Sequence, residues 1–352
     1  MGDAPYTATR NSFHLARMLL AVLVVLTHAY TLTGLATPLN RLTGGQMNEG
    51  SLAVDGFLVI SGFLICQSGV RNRNVLKFLR NRVLRLLPAM LCALAFSALL
   101  VGGLAYGGTY REYLNLGDNG PLTWMWNWLT LNVQGEQWGI SGVFSGNATT
   151  SLNVSLWTIK HEVFLYLVMA LLILTTLNRR RPVYIVLYLF FLTLQVLLTV
   201  FGVRVWDVAD VRWWVLSTWN YPRFVETGVY FFAGTLLYAH RDMIPRRWYL
   251  AVISLMTMVL GWHFGMLREV FLIAYPYLLC YLAASPLCSG FSRIGDLSLG
   301  MYLYAYPVQQ LGYHLWPDMH PLANFAFTLA VVLPIAWWSW RHVEAPVLAW
   351  KR

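Results

Sequence analysis

The sequence predicts an all-α, polytopic membrane protein with about ten transmembrane helices and both termini in the cytoplasm. Three observations support this fold class. Of the 352 residues, 58% are hydrophobic and only 11% are charged, long apolar runs recur along the chain, and the basic residues form short clusters between those runs. A soluble domain carries about a quarter charged residues, so this composition is typical of the membrane class. The first apolar run is too long for a cleaved signal and lacks a small-residue cleavage site, so we expect it to remain as the first span.

Each apolar run that approaches the roughly 20 residues needed to cross a bilayer is interpreted as one helix. The ten predicted spans are 13–34, 52–70, 83–106, 154–177, 183–201, 224–240, 248–264, 270–284, 297–315 and 322–340. They predict a single membrane-embedded domain over residues 1–352, with no separate soluble unit and no internal repeat.

The basic residues predict the orientation of these spans. One set of connections, together with both tails, carries most of the Lys and Arg residues, whereas the opposite set carries only Arg41, Arg111, Arg204, Arg212 and Arg268. The positive-inside rule therefore places both termini in the cytoplasm, which an even number of spans requires. We expect a multi-pass protein of the bacterial cytoplasmic (inner) membrane.

The net charge of +10 does not indicate nucleic-acid binding, because the basic clusters face membrane lipid at the ends of apolar runs. The cysteines Cys66, Cys92, Cys280 and Cys288 lie in apolar segments without metal-ligand spacing. They are expected to be packing residues, and no metal is expected.

The first span carries Arg17 and His28. Ionisable groups inside a span are costly and mark a functional-site hypothesis. Eleven residues make three turns plus about 20°, so the two side chains share one helix face about 16 Å apart along the axis. One helix thus presents a cation near one membrane surface and an imidazole near the other.

The next two spans add further candidates. Asp55 lies near the outer end of the second span, at a depth similar to that of His28, where it could fix the imidazole tautomer or simply face water. Ser61 and Gly62 are expected to allow close helix packing. Arg82 and Arg85 share a face at the start of the third span, where they either bind phosphate through guanidinium forks or act only as topology signals.

Two later spans carry polar stripes. Ser155, Thr158, Glu162 and Tyr166 fall on one face of the fourth span, and Glu162 is deep enough that it should face a cavity or a cation. The ninth span carries Ser298, Tyr302, Tyr306, Gln309 and Tyr313 along one side, which indicates a lined groove or core packing. Glu344 and Pro346 are expected to end the last helix.

Several separated stretches together resemble the acyltransferase-3 family of integral-membrane acyltransferases. The matching pieces are Arg17 followed by His28, VDGFLVISGFLI from Val54, FLRNRVLRLLPA from Phe78, LWTIKHEVFLY from Leu156, GTLLYAH, DLSLGMYLYAYPVQQ and HVEAP from His342. The family often has an acid three residues before the arginine and a second acid after the Trp; this chain has His14 and Val163 there, and Thr158 where the family often has Ser.

The resemblance implies O-acylation, most often acetylation, of a carbohydrate or other hydroxyl-bearing acceptor, with acetyl-CoA or another acyl-CoA as the cytoplasmic donor. It implies that His28 is catalytic, with Glu162 or Asp55 orienting it, and that Arg17, Arg82 and Arg85 bind the donor phosphates. Trp157, Thr158, Tyr302 and Tyr306 are expected to bind substrate. An imidazole with an unperturbed pKa of about 6.5 suits a general base at neutral pH, although transient acylation of His28 is a rival route.

A transporter or flippase for a lipid-linked sugar or acylated metabolite is the competing interpretation, because buried polar residues and ten spans fit it equally well. The family pieces and the absence of a repeat between the two halves favour the enzyme. The acceptor, the acyl chain and the oligomeric state are left open by the sequence.

Overall fold

The computed structural model describes residues 12–71, 74–131, 138–200, 221–285 and 295–350. Within these ranges the chain is helical and forms no β-strand beyond one isolated bridge, which confirms the all-α prediction. The main helices are α1 (Phe13–Thr31), α2 (Glu49–Arg71), α3 (Val75–Ala95), α4 (Pro121–Leu129), α5 (Trp157–Leu174), α6 (Arg181–Val200), α7 (Tyr221–Ala239), α8 (Trp248–His263), α9 (Leu267–Ala283), α10 (Ser298–Leu315) and α11 (Pro321–Ser339). Helix α3 continues through a π-helical segment, Phe96–Val101, to Ala105.

Among the described residues, six helical segments are long and apolar enough to cross a membrane: Phe13–Thr31, Glu49–Arg71, Val75–Ala105, Val154–Leu174, Arg181–Thr199 and Pro321–Ala349. Each of the ten predicted spans nevertheless coincides with a helix. Helices α8 and α9 are short, at 16 and 17 residues. Helices α7 and α10 are more polar and are buried on most sides. A helix surrounded by protein does not need an apolar surface toward lipid, so its sequence has a weaker membrane signal.

The count of ten spans and the cytoplasmic position of the termini stay predictions. Part of the basic asymmetry rests on residues outside the described ranges, namely Arg10, Arg73, Arg293, Lys351 and Arg352 on one predicted side and Arg204 and Arg212 on the other.

Helix α10 is fixed against α1, the helix that carries Arg17 and His28. The Gln309 amide donates to the Val25 carbonyl at 2.8 Å, and the Tyr313 hydroxyl donates to the Ala29 carbonyl at 2.6 Å. These two members of the ninth-span stripe therefore hold helices together, and the lined-groove interpretation is wrong for them.

Helices α2 and α7 approach at two glycines. A Cβ atom on Gly62 would lie 1.9 Å from the Phe231 carbonyl oxygen, and one on Gly234 would lie 2.1 Å from the Val59 carbonyl oxygen. Close backbone contact of this kind needs residues without side chains, which confirms the packing role predicted for Gly62. The contact also fixes the position of Ser61 beside it.

The last helix does not end where the sequence indicated. It continues from α11 through a π-helical turn, Trp340–Glu344, into a short helix, Ala345–Ala349. Pro346 occupies the first turn of that helix, where its missing N–H is tolerated. Glu344 is thereby buried inside the protein at 2% exposure rather than placed at a helix end.

Candidate active site

Two neighbouring cavities contain most of the polar residues that the sequence singled out. The first, the arginine cavity, has a volume of ≈ 120 Å³ and is lined by Arg17, Ser61, Arg82, Arg85, Thr158, Glu162, Tyr166, Ser298 and apolar residues. The second, the histidine cavity, has a volume of ≈ 360 Å³ and is lined by His28, Asp55, Trp157 and other polar and aromatic residues. Val54 and Tyr302 line both cavities. The arginines and the imidazole thus lie on opposite sides of a partition formed by these two residues.

A buried carboxylate that sequence reasoning missed joins two of the three arginines. Asp296, 3% exposed, accepts a hydrogen bond of 2.5 Å from Nη1 of Arg17 and another from Nη2 of Arg85. Its second oxygen accepts from the Ser298 hydroxyl at 2.5 Å. His14, the residue that replaces the family's acid, approaches the same carboxylate at 4.0 Å. Asp296 therefore holds helices α1, α3 and α10 together through charge.

Asp296 precedes α10 and stays ionised. Burial alone would raise its pKa, but the guanidiniums of Arg17 and Arg85 more than offset this and hold the pKa of Asp296 well below its usual range. The Ser298 hydroxyl acts in the same direction. The ion pairs consequently persist throughout the neutral pH range.

Arg85 has a second acidic neighbour, Glu344, at 4.0 Å. Its guanidinium also lies over the Trp340 ring at 5.7 Å from the ring centroid. The only sequence signals for Asp296 and Glu344 were their places in the family pieces DLSLG and HVEAP, because no helical periodicity connects them to the arginines.

Arg82 differs from the other two arginines. Within the described chain it forms no ion pair within 4.0 Å; it donates to the Ser68 hydroxyl at 3.4 Å and lies over the Phe78 ring at 5.6 Å. Its Nε has no hydrogen-bond partner. Of the three predicted donor-binding cations, Arg82 is the one whose hydrogen-bonding capacity is least used by the protein itself.

Glu162 lies in the arginine cavity, away from His28. Its carboxylate accepts hydrogen bonds from the Ser61 hydroxyl at 3.0 Å and from the Tyr166 hydroxyl. One turn earlier, Thr158 is hydrogen-bonded to the Tyr302 hydroxyl at 2.9 Å. The predicted polar face of the fourth span thus converges on one cavity, but the structure groups Glu162 with the arginines rather than with the imidazole.

His28 lies in the other cavity, with its ring edge-on to Tyr306 at 5.0 Å between centroids. Asp55, 5% exposed, lines the same cavity, as do Trp157 and Tyr302, whereas Tyr306 lines neither cavity. In the part of the chain that the structure describes, no hydrogen bond joins the His28 ring to Asp55 or to any other group. The imidazole is thus positioned by packing and faces a space large enough for a ligand.

A family model described as an acyltransferase domain matches residues 10–341. The chain therefore belongs to this acyltransferase family, as the sequence resemblance indicated.

Three relatives refine this assignment. An O-acetyl transferase of Shigella phage Sf6 is 25% identical over 95% of both chains. Nodulation protein 10 of Rhizobium leguminosarum bv. viciae is 29% identical over 47% of this chain and 44% of its own. BcsY of Komagataeibacter xylinus, described as a proposed membrane-bound transacylase, is 30% identical over 42% and 38%. No solved structure matches the chain. Together with the apolar helices, these relatives support a multi-pass membrane O-acyltransferase.

Proposed function

We propose that this protein transfers an acyl group, most often acetyl, from cytoplasmic acyl-CoA to a hydroxyl of a carbohydrate acceptor such as a surface or exported polysaccharide. The protein would act in the bacterial inner membrane. The observation that carries the proposal is the pair of cavities that meet at Val54 and Tyr302, with guanidiniums in one and an imidazole in the other.

The arginine cavity suits the donor. Each guanidinium carries five N–H donors, and Asp296 accepts one hydrogen bond from each of Arg17 and Arg85. Arg85 also faces Glu344, and Arg82 also donates to the Ser68 hydroxyl, but further N–H donors of all three arginines would remain for phosphate oxygens. Asp296 holds the guanidinium groups of Arg17 and Arg85 in place, so phosphate binding would not carry the entropic cost of ordering these two side chains.

The histidine cavity suits the acceptor. There, His28 takes the proton from the acceptor hydroxyl as the hydroxyl oxygen attacks the thioester carbonyl. A C–O bond forms, the C–S bond breaks, and the departing CoA thiolate takes up the proton from the imidazolium. The products are an ester and CoA.

Val54 and Tyr302, which line both cavities, mark where the two substrates meet. The acyl-bearing end of the donor reaches this boundary from the arginine side. Trp157, Thr158, Tyr302 and Tyr306 remain the proposed substrate-binding residues, since three of them line a cavity and Tyr306 packs on the catalytic imidazole. Asp55 remains the carboxylate proposed to orient His28, because Glu162 lies on the other side of the partition.

The experiment that tests this function uses purified protein, acetyl-CoA labelled in the acetyl group, and glycan extracted from a strain that lacks the gene. We expect label to appear in the glycan and to be released from it by mild base, as an ester is. Acetyl-CoA labelled in the CoA moiety is the control and should leave the glycan unlabelled. A protein that neither binds nor consumes the donor would contradict the proposal and favour a transporter.

A further inference from the structure

One wall of the histidine cavity is formed by three tryptophans, and the proposed reaction gives a role to only one of them, Trp157. Trp128 from α4, Trp138 after it and Trp157 at the start of α5 all line this cavity. Trp128 and Trp138 pack edge to face at 5.2 Å between centroids. We infer that this tryptophan wall, Trp128, Trp138 and Trp157, binds one sugar residue of the acceptor: the half-buried rings of Trp138 and Trp157 stack on the sugar, and the buried Trp128 holds Trp138 in place. The inference rests on the proposed function and adds the acceptor subsite to it.

The tryptophans are not simply membrane-interface anchors. An anchoring Trp exposes its ring toward the lipid headgroups, and Trp126 has 64% of its surface exposed. Trp128 is only two residues further along the same helix, yet it is 2% exposed. Its ring therefore faces the protein interior and the cavity rather than the lipid.

Two buried polar atoms of residues that line the cavity lack partners among the described residues. They are the indole Nε1 of Trp128 and the hydroxyl of Thr27, whose residue is 7% exposed. Buried polar groups are almost always paired, since an unmade hydrogen bond costs free energy. A ligand that brings several hydroxyl groups into this cavity would place hydrogen-bonding partners close to both residues.

The other polar groups in the lining also match a sugar. Asp55 and Glu226 offer carboxylate acceptors, whereas Lys160 and Arg223 bring donors of opposite charge, and Arg223 pairs with Glu226 at 3.0 Å. Such a mixture favours a ligand with many hydroxyl groups over a lipid alcohol, which needs an apolar channel. The volume of ≈ 360 Å³ lies within the range of about 300–1,000 Å³ typical of small-molecule sites.

The test compares Trp128→Phe and Trp157→Phe with Trp126→Phe, a control on the exposed face of α4. Each purified variant is given labelled acetyl-CoA and glycan from the gene-deletion strain, and KM for the glycan and Kd for acetyl-CoA are measured. We expect KM for the glycan to rise about tenfold in both cavity variants, with Kd for acetyl-CoA within twofold of wild type. Trp126→Phe should leave both values unchanged.

Three outcomes distinguish a failure of the tryptophan subsite from a failure of the proposed function. An unchanged glycan KM in both cavity variants would overturn the tryptophan subsite while leaving the acyltransferase reaction intact. A parallel loss of donor affinity in both variants would also overturn it, because the tryptophans would then serve only the fold. If wild-type protein transfers no label to the glycan, the proposed function fails and the subsite fails with it.

Discussion

The Asp296 carboxylate accepts hydrogen bonds from guanidiniums on two helices that are distant from it in sequence. Arg17 and Arg85 are thereby charge-paired, whereas Arg82 is not. The three arginines look alike in the sequence, yet the structure gives them different tasks. Two of them combine a structural ion pair with a position in the cavity lining. The third, Arg82, leaves most of its hydrogen-bonding capacity unused within the described chain.

Replacing Asp296 by Asn should destabilise the protein by about 3–5 kcal/mol, because the buried charge that pairs with two half-buried arginines is lost. Thermal unfolding in detergent measures the effect. The matched control is Asp242→Asn, which breaks an exposed pair with Arg181 of 2.7 Å and should cost less than about 1 kcal/mol. Equal effects of the two substitutions would show that the Asp296 cluster is not a structural centre.

The effect of Asp296→Asn on thermal stability should depend on pH. The pKa of Asp296 is lowered in the folded protein, so its contribution is fully present above the unfolded value of about 3.9 and is lost as the pH falls through the lower folded value. The difference in Tm between wild type and Asp296→Asn should therefore persist from about pH 8 to pH 5 and shrink below about pH 4. A difference that is already lost at pH 5 would contradict the assignment of Asp296 as ionised at neutral pH.

Arg82→Ala should weaken acetyl-CoA binding about ten- to a hundredfold, since a hydrogen bond to a charged group contributes about 1.5–3 kcal/mol. Its effect on Tm should be small, because within the described chain Arg82 pairs with no carboxylate. Arg80→Ala is the control, as Arg80 is an exposed member of the same basic cluster. Isothermal titration with acetyl-CoA measures the affinities, and equal affinity of both variants would leave Arg82 with only a topological role.

Sequence reasoning could identify the residue types of the site but not all of their partners. The eleven-residue spacing predicts that Arg17 and His28 share a helix face, and the i, i+4 pattern predicts that Thr158, Glu162 and Tyr166 converge. Both depend on helix geometry within one element. The pairing of Arg17 with Asp296 crosses 279 positions of sequence, and no local period encodes such a contact.

At the scale of helices, the approach of α2 to α7 sets the position of Ser61 and, through it, of Glu162. Gly62→Ala should lower the free energy of unfolding by about 1–3 kcal/mol, even though Ala is the better helix former, because the new methyl group meets the rigid Phe231 carbonyl. The substitution should also reduce the rate of acyl transfer, because it would move the Ser61 hydroxyl away from the Glu162 carboxylate to which it donates.

Gly69→Ala on the same helix is the control for Gly62→Ala. Its nearest neighbour would be the Cδ1 atom of Ile173 at 3.4 Å, an ordinary contact. Thermal unfolding of both variants gives the comparison. If Gly69→Ala is as destabilising as Gly62→Ala, the close approach of α2 and α7 is not the cause.

The helices themselves were largely predictable, since every predicted span coincides with a helix, but their environments were not. The apolar periodicity cannot distinguish a helix that faces lipid from one in the centre of a bundle. For this reason Gln309 and Tyr313 fit both a lined groove and core packing in the sequence, whereas the structure shows that they bind the backbone of α1. The end of the last helix was also misplaced, because Pro346 lies in a first turn, where proline is compatible with a helix.

Considered over the whole protein, the polar residues line two cavities, the arginine cavity and the histidine cavity, which are separated by Val54 and Tyr302. The arginine cavity is lined partly by apolar residues of α2 and α3. The histidine cavity is larger and has more polar and aromatic groups in its lining. This division matches a reaction whose two substrates differ strongly in charge. Donor binding and acceptor activation should therefore be separable by mutation.

The most direct test of the account measures acetyl transfer and acetyl-CoA affinity in His28→Ala. General-base catalysis contributes typically 10²–10⁴-fold, so transfer to the glycan should fall by about that factor. The Kd for acetyl-CoA should stay within about twofold, because His28 lies outside the arginine cavity. Transfer at the wild-type rate in His28→Ala, with the donor still bound, would contradict the central claim that the imidazole activates the acceptor hydroxyl in the histidine cavity.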